Sequence, residues 1–168
     1  MRQLQAARSL AWTHRRDSVE WNHFSPPDLP DWGSFFSQVI CVEGHGIKHV
    51  FISGQVGVDA QKRLAGDGGF EAQTERAFEN LGTALAHSGA TWGEVVKLTI
   101  YVVNYEEARA TVIGRAIRAR FAAGKLPTCS LVGVQALAES RFTIEVEAIA
   151  LVDQGGAQAN PPPPTGPA

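Results

Sequence analysis

The sequence contains few cysteines and no long apolar segment. Its 168 residues include only two cysteines, Cys41 and Cys129, which lie far apart and form no Cys-x-x-Cys pair. A disulfide framework is therefore not expected, and free thiols in a reducing, cytoplasmic compartment are the simpler interpretation. No apolar run approaches the roughly 20 residues that a membrane-spanning helix needs, so no membrane partner is predicted.

An excess of charge of one sign is also missing. The chain carries 15 basic and 17 acidic side chains, for a formal net charge of −2. Proteins that bind the phosphate backbone of nucleic acids usually present a basic surface, and this balance predicts none. The four tryptophans are not spaced as a ladder on which bases could stack, so RNA binding is only weakly supported.

Composition divides the chain into three parts. Residues 1–34 show no sustained hydrophobic period and are interpreted as an N-terminal extension. Residues 35–153 carry the periodic pattern of a folded domain, with enough length to bury a core. Residues 154–168 consist largely of Gly, Ala, Gln and Pro, and they predict a disordered tail.

The periodic pattern predicts an α+β fold in which a mixed β-sheet carries two helices on one face, in the order ββαβαββ. The runs 35–43 and 49–53 flank Gly44-His45-Gly46, a sequence typical of a hairpin connection. Helical spacing of apolar residues begins after Asp67-Gly-Gly69, and Gly89 ends that helix. The remaining predicted elements are a strand at 95–103, a helix that buries Ala108, Val112, Ala116, Ile117 and Phe121, and strands at 129–134 and 142–152.

Two helices cover only one face of such a sheet. Val39, Phe51, Ile100 and Ile144 are apolar strand residues that we do not expect two helices to hide together. A second copy of the chain is the simplest partner for an apolar face that is left uncovered. The pattern therefore predicts a homo-oligomer.

The last predicted strand contains two acidic residues. Alternate residues of a strand share a face, so Glu145 and Glu147 point to one side and the apolar Ile144 and Val146 point to the other. A carboxylate in a buried position costs free energy unless it is paired. The face with the two carboxylates therefore either meets water or lines a polar pocket.

Four short segments of the chain resemble one known family. Their order and spacing resemble those of the RidA (YjgF-like) family of reactive enamine/imine deaminases. The segments are Ser53-Gly-Gln-Val-Gly-Val58, the segment from Gln73 to Leu81, Val95-Val-Lys97 and Glu145-Val-Glu-Ala-Ile-Ala150, and the match as a whole covers residues 35–152. The resemblance implies a chorismate-mutase-like fold, assembled as a homotrimer with a small-molecule cleft between neighbouring subunits. It also implies hydrolytic release of ammonia from an enamine or imine, without a metal or an organic cofactor.

The resemblance carries the family's site residues onto this chain. It places the catalytic carboxylate at Glu145, the backbone of Gly54 beside the substrate, and Glu147 as an ion-paired or solvated partner. The aromatic residue of the family's pocket falls at Phe36. Lys97 either contacts a ligand anion in the cleft or forms a salt bridge between subunits.

The chain departs from the family where the substrate carboxylate is held. The family's Pro-x-Arg-Ser is Pro127-Thr-Cys129-Ser130 here, so a thiol stands at the position of the Arg. A thiol cannot supply the two parallel hydrogen bonds of a guanidinium, and Cys129 is interpreted as a small buried residue with Ser130 retained beside the ligand. We therefore expect a divergent member whose substrate is not 2-aminoacrylate. The alternative is a non-catalytic trimeric module that binds a metabolite in the same intersubunit cleft.

Two other patterns are weaker as sites. His45 and His49 stand close to Glu43 on the predicted hairpin, but no further metal ligand is evident, so no metal site is predicted. The glycine-rich run 66–69 lacks the Lys-Ser/Thr of a phosphate-binding loop. It predicts a turn and the start of a helix.

Overall fold

A six-stranded mixed sheet with two helices packed on one face forms the framework of the protein. The computed structural model describes residues 19–155. In chain order, the elements are β1 (Glu20–Phe24), β2 (Val39–Gly44), β3 (Ile47–Val56), α1 (Phe70–His87), a 3₁₀ turn (Trp92–Glu94), β4 (Val95–Val103), α2 (Glu107–Arg118), β5 (Thr128–Val134) and β6 (Ile144–Asp153). The strand order is β1-β2-β3-β6-β4-β5, and only the β4–β5 pair is parallel. The order ββαβαββ is confirmed from β2 onward.

The sequence pattern does not predict strand β1, which lies within the segment 1–34. It pairs with β2 at the edge of the sheet, where Trp21 lies opposite Val42. Four of its five residues are exposed, so its sequence lacks the alternation by which a half-buried strand is recognised. Strand β1 is held in the sheet by its backbone pairing with β2 rather than by buried side chains.

The predicted tail begins with a residue that is bound to the sheet. The amide of Gln154 donates a 2.9 Å hydrogen bond to the carbonyl oxygen of Gly46, and its side chain donates to Glu43 Oε2 at 2.8 Å. Residues 156–168, which make up the rest of that predicted tail, lie outside the described residues, as do residues 1–18.

Strands β2 and β3 form a hairpin at the predicted turn, but both differ in extent from the prediction. His45 and Gly46 have φ values of 54° and 77°, the left-handed pair of conformations that a two-residue hairpin turn requires. Strand β2 does not include Phe35 and Phe36, because their amides donate to the carbonyl oxygen of Trp32 at 2.8 and 3.3 Å in a preceding turn. Strand β3 is longer than predicted at both ends.

The hydrophobic core lies between the helices and one face of the sheet. The alternation predicted for β6 is confirmed, since Ile144, Val146, Ala148 and Ala150 are all at most 3% exposed on this face. Helix α1 packs on it through Ala77, Phe78, Leu81 and Leu85, as its spacing predicts. Helix α2 buries Ile113 and Ala116, whereas Ala108, which was predicted to face inward, is exposed. Within residues 19–155, neither helix is long and apolar enough to cross a membrane.

The other face of the sheet is open, but it is less apolar than the sequence suggests. Of the four apolar residues that two helices were not expected to hide together, Val39, Ile100 and Ile144 are in fact fully buried under the helices. Only Phe51 lies on the open face, where it is 41% exposed. A β-bulge next to Lys97 leaves Val96 exposed rather than in line with the buried residues of β4. The open face combines apolar side chains such as Phe51 with Lys97, Glu145 and Glu147.

Candidate functional site

A β-bulge in β3 shapes the candidate site. Ile52 pairs with Ala148 and Gln55 pairs with Val146, so the two residues between them, Ser53 and Gly54, stand opposite a single residue of β6. A bulge of this kind bends its strand and redirects the side chains that follow. As a result Val56 lies opposite Glu145 and shares its face.

The carboxyl group of Glu145 rests directly on the backbone of Gly54. A Cβ atom added at Gly54 would lie 1.7 Å from Oε1, 2.4 Å from Cδ and 2.6 Å from Cγ of Glu145. Gly54 does not have a positive φ, so the close approach of the carboxyl group, and not backbone conformation, is what requires a glycine here. The structure thus brings together Glu145 and Gly54, the residues predicted as the catalytic group and its backbone neighbour.

These two residues line a cleft of about 300 Å³ at one end of the open face. Phe36, the third predicted pocket residue, also lines it. The complete lining is Trp32, Phe36, Ser53, Gly54, Val56, Ala138, Glu139, Phe142 and Glu145. Three rings and two carboxylates therefore surround the same small space.

Sequence reasoning missed Trp32, Glu139 and Phe142 as lining residues. Trp32 lies before the first predicted strand, and Glu139 lies in the connection between β5 and β6, where no periodic signal applies. Phe142 was predicted to begin the last strand, but it precedes β6 and packs with Val56 and Val58 in a small second core, with Trp32 at its edge. The signal that could have identified Phe142 is its position, because it is an aromatic residue just before β6, the strand that carries Glu145.

Buried amide side chains fix the segments that form the cleft. Gln73 of α1 donates to the carbonyl oxygens of Gly68 and Arg141 at 2.7 and 3.0 Å, and it accepts a 2.9 Å hydrogen bond from the amide of Thr143. Asn80 donates to the carbonyl oxygens of Val56 and Val58, each at 2.9 Å. Both helical side chains thereby bind the end of β3 and the start of β6 to α1.

Burial lowers the acidity of the Glu145 carboxyl group. Desolvation raises the pKa of its carboxyl group above the ordinary 4.5, and the charge of Glu147 raises it further. Glu147 accepts a 3.3 Å hydrogen bond from the hydroxyl of Tyr101, and no cation of residues 19–155 forms an ion pair with it. A raised pKa suits the Glu145 carboxyl group to exchanging a proton with a ligand in the cleft.

Lys97, Ser130 and Cys129 do not line this cleft. Lys97 donates a 2.6 Å hydrogen bond to the hydroxyl of Ser130 and borders a second depression of about 490 Å³, which also contains Glu147. Ser53 lies in the wall between the two spaces. Within one chain the structure separates these three predicted ligand contacts from Glu145.

The expectation that Cys129 is buried is wrong. Its side chain is exposed because β5 is the outermost strand of the sheet and has a neighbour on one side only. Partial desolvation nevertheless raises the pKa of the Cys129 thiol, and the charge of Lys97 opposes that effect. Among the described residues, no group of three or more His, Cys, Asp or Glu side chains is placed to hold a metal ion.

Comparison with known proteins agrees with this architecture. The family model described as Endoribonuclease L-PSP matches residues 32–152. Protein DfrA of Myxococcus xanthus is 32% identical over 117 residues, 69% of this chain and 84% of that protein. A Rattus norvegicus protein named 2-iminobutanoate/2-iminopropanoate deaminase is 30% identical over 116 residues, 69% of this chain and 79% of that protein.

A solved structure gives the same result for the fold. RidA from an Antarctic Psychrobacter species superimposes with a TM-score of 0.65 at 26% identity, over 78% of this chain and 99% of that chain. The family model covers most of the folded residues, including both β3 and β6. The chain belongs to the endoribonuclease L-PSP family, the group that includes the RidA proteins it resembles.

Proposed function

We propose that this protein hydrolyses a small-molecule enamine or imine and releases ammonia, with Glu145 as the acid/base group. The observation that carries the proposal is the Glu145 carboxyl group seated on the Gly54 backbone inside an aromatic cleft, with its pKa raised by desolvation. The deaminase name of the rat relative supports the same class of reaction.

The arrangement is suited to both proton transfers of such a hydrolysis. An enamine first tautomerises to an imine, and water attacks the carbon of the protonated imine. Glu145 takes a proton from that water as the C–O bond forms and gives it to the nitrogen of the carbinolamine. The C–N bond then breaks, and the departing ammonia takes the proton of the carbinolamine hydroxyl group to become ammonium. An iminium ion and water thereby yield a carbonyl compound and ammonium. A carboxyl group whose pKa is raised toward neutrality can serve in both steps.

Ser53 provides a second polar contact for the reacting groups. Its hydroxyl oxygen is buried, and it makes no hydrogen bond with any of residues 19–155. Because a buried hydroxyl without a partner costs free energy, a ligand or a bound water gains from pairing with it. We assign to Ser53 the positioning of the attacking water or of the substrate nitrogen.

We propose further that the protein acts as a cytoplasmic homotrimer. The open face of each sheet presents Phe51 and Leu151, which are 41% and 38% exposed, and a neighbouring chain would cover them. Lys97, Ser130 and Cys129 would then reach a ligand from a neighbouring subunit, since they do not line the Glu145 cleft of their own chain. Cys129 at the family's Arg position supports a substrate other than 2-aminoacrylate.

Ribonuclease activity, which the family's description names, is less well supported. The cleft is lined by two carboxylates and, within the described chain, by no Lys or Arg. A polyanionic RNA backbone needs a basic surface, and these carboxylates would repel it.

The test compares two carboxylates on one strand. Enamines and imines are generated freshly as a panel, and ammonia release is measured for the wild type, Glu145→Gln and Glu147→Gln at equal oligomeric state. We expect Glu145→Gln to lower turnover by about 10²-fold or more, because it removes a general acid/base group. Glu147→Gln, which shares the strand face but does not line the cleft, should change it much less.

Two outcomes would contradict the proposal. Wild-type turnover in Glu145→Gln would make that carboxyl group structural. Tight binding of an imine analogue with no release of ammonia from any panel member would favour the non-catalytic metabolite-binding module.

A further inference from the structure

One aromatic wall of the Glu145 cleft is in contact with a lysine from another loop. Trp32 lines the cleft, and the ammonium group of Lys62 lies 4.1 Å from the centre of its ring. A cation over an indole face is attracted by the negative charge of the ring, and tryptophan gives the strongest contact of this kind. Lys62 does not line the cleft of its own chain, so within that chain it acts on a ligand through the residues that it contacts.

A second contact joins Lys62 to another loop that lines the cleft. The carbonyl oxygen of Lys62 accepts a 2.9 Å hydrogen bond from Arg141 Nη1, and Arg141 Nε donates to Glu139 Oε2 at 2.7 Å. Glu139 comes from the connection between β5 and β6, whereas Trp32 comes from the segment between β1 and β2. Lys62 therefore links two loops of the cleft that are far apart in the sequence.

The turn that carries Lys62 is fixed by its own hydrogen bonds. Asp59 Oδ1 accepts hydrogen bonds from the amides of Gln61 and Arg63 at 3.0 and 2.9 Å, and the carbonyl oxygen of Asp59 accepts one from the amide of Lys62 at 2.8 Å. Lys62 has a φ of 62°, in the left-handed region that a lysine rarely adopts. Because these bonds hold the strained residue, the turn determines where its ammonium and carbonyl groups lie.

The Trp32 ring bounds a small space. The cleft volume of about 300 Å³ is at the lower end of the range for small-molecule sites. Trp32 also packs at the edge of the small core that contains Phe142, another residue of the cleft lining. A neighbouring subunit of the proposed trimer would fill part of this space and would leave the contact between Lys62 and Trp32, which lies within one chain, in place. A substrate must therefore fit against the Trp32 ring.

On the proposed deaminase function, we infer that Trp32 limits the size of the substituent beside the C=N bond of the substrate, and that Lys62 holds Trp32 in the position that does so. Trp32 is the specificity-determining residue, because it borders the space that the substrate fills. Lys62 is a positioning residue, because it acts through that ring. Proton transfer stays with Glu145, so the two residues select the substrate and do not carry the reaction.

The experiment compares imines that differ in the size of one substituent. A flavin-dependent amino-acid oxidase converts 2-aminobutanoate and phenylalanine to imines with an ethyl and a benzyl-type substituent. A flavin-dependent amine oxidase converts propylamine and 2-phenylethylamine to the matching pair without a carboxylate. Stopped-flow absorbance follows the decay of each imine with and without the full-length protein. The ratio of kcat/KM, larger imine over smaller, is taken from the pair that the wild type accelerates, or from the largest and smallest panel members if it accelerates only those.

Two variants should raise this ratio. Trp32→Ala should raise it by about tenfold or more, because a single methylene group of space in a pocket already changes selectivity by about tenfold. Lys62→Gly should raise it about two- to fivefold, the range of an exposed cation–π contact. Glycine suits the φ of 62° and keeps the carbonyl group that Arg141 binds, so only the side chain is lost. Both changes should appear in KM, whereas a displaced Glu145 would lower kcat for both imines.

Control variants separate the contact from a general effect on the fold. Lys62→Arg keeps a cation for the indole face and should retain the wild-type ratio. Asn104→Gly should also retain it, because Asn104 is another residue with a positive φ, 50°, and does not line the cleft. In protein labelled with fluorotryptophan, the fluorine resonance that disappears in Trp32→Phe belongs to Trp32. It should shift in Lys62→Gly and stay in place in Asn104→Gly.

The possible results separate the inference from the proposed function. An unchanged or lower ratio in Trp32→Ala overturns the inference and leaves the deaminase function intact. A ratio that rises in Trp32→Ala but not in Lys62→Gly, or an unmoved Trp32 resonance in Lys62→Gly, overturns the part assigned to Lys62. Wild-type protein that accelerates neither pair, nor any enamine or imine in the panel, overturns both. A ratio raised in Trp32→Ala and Lys62→Gly, and restored in Lys62→Arg, supports both.

Discussion

Replacing Gly54 by alanine would displace the Glu145 carboxyl group without removing it. The added Cβ would lie 1.7 Å from Oε1, and real structures essentially never place such an atom closer than 3.0 Å. The oxygen must therefore move by at least about 1.3 Å, and a displacement of this size in an active site can reduce the rate by about 10²-fold. The three nearest atoms all belong to the Glu145 side chain, which can rotate away, so the backbone of β3 can stay in place.

The expected cost in stability is small by comparison. Overpacking typically costs about 1–3 kcal/mol, and a movable side chain places this site at the lower end. For a chain of this length, about 1 kcal/mol lowers Tm by roughly 2–4 °C. We therefore expect Gly54→Ala to remain folded, with turnover of a responsive imine reduced about 10²-fold.

The assay is a double-mutant cycle on ammonia release. If Gly54→Ala acts only by moving the carboxyl group, it should cost little further activity when Glu145 is already Gln, because the two residues act as one unit. Gly93→Ala is the control, since a Cβ there comes no closer than 3.7 Å to its nearest neighbour. Additive losses, or wild-type turnover in Gly54→Ala, would refute the reasoning that this glycine exists to admit the carboxyl group.

Three further predictions follow from the same contacts. Gly57→Ala should destabilise far more than Gly54→Ala in thermal melts, because its Cβ would lie 2.5 Å from the Cα atom of Gln73, which is backbone of α1 and cannot rotate away; equal melting temperatures would contradict this. The folded state raises the pKa of Glu145 above 4.5, so it binds more protons than the unfolded state and loses stability as pH rises through the interval from 4.5 to the raised value. Urea unfolding should therefore find Glu145→Gln more stable than the wild type above that interval and equally stable below it. Light scattering should give about 54 kDa, three times the 18.1 kDa chain, and a stable monomer at micromolar concentration would remove the trimer.

Local periodicity accounts for the part of the fold that the sequence predicts. Strand β4 has the predicted bounds of residues 95 and 103, and α1 buries the predicted apolar residues. The sequence Thr91-Trp-Gly-Glu94 also has the spacing of a capping box, and the structure forms one, with the Glu94 carboxylate accepting a 2.7 Å hydrogen bond from the amide of Thr91. Each of these features is determined within a few neighbouring residues, so a pattern in one stretch of sequence is sufficient to predict it.

The features that the sequence pattern did not predict depend on pairing between strands that are far apart in the sequence. Alternation cannot reveal the bulge at Ser53 and Gly54, because the extra residue is defined only by the register of β3 against β6. The same holds for Val96, which alternation assigns to the buried face and which a bulge exposes. The exposure of Cys129 follows from the place of β5 at the edge of the sheet, which no local pattern encodes.

Some residues of the candidate site lie on strands and others lie on loops. The resemblance to a family predicts the positions of the strand residues better than those of the loop residues. Glu145 and Gly54 lie on paired strands, so motifs in β3 and β6 are sufficient to place the carboxyl group. Trp32 and Glu139 come from loops, which can change without disturbing the sheet. Under the proposed function, the acid/base group is therefore the part of the site that the family motifs predict, while the selection of a substrate depends on loop residues that those motifs do not cover.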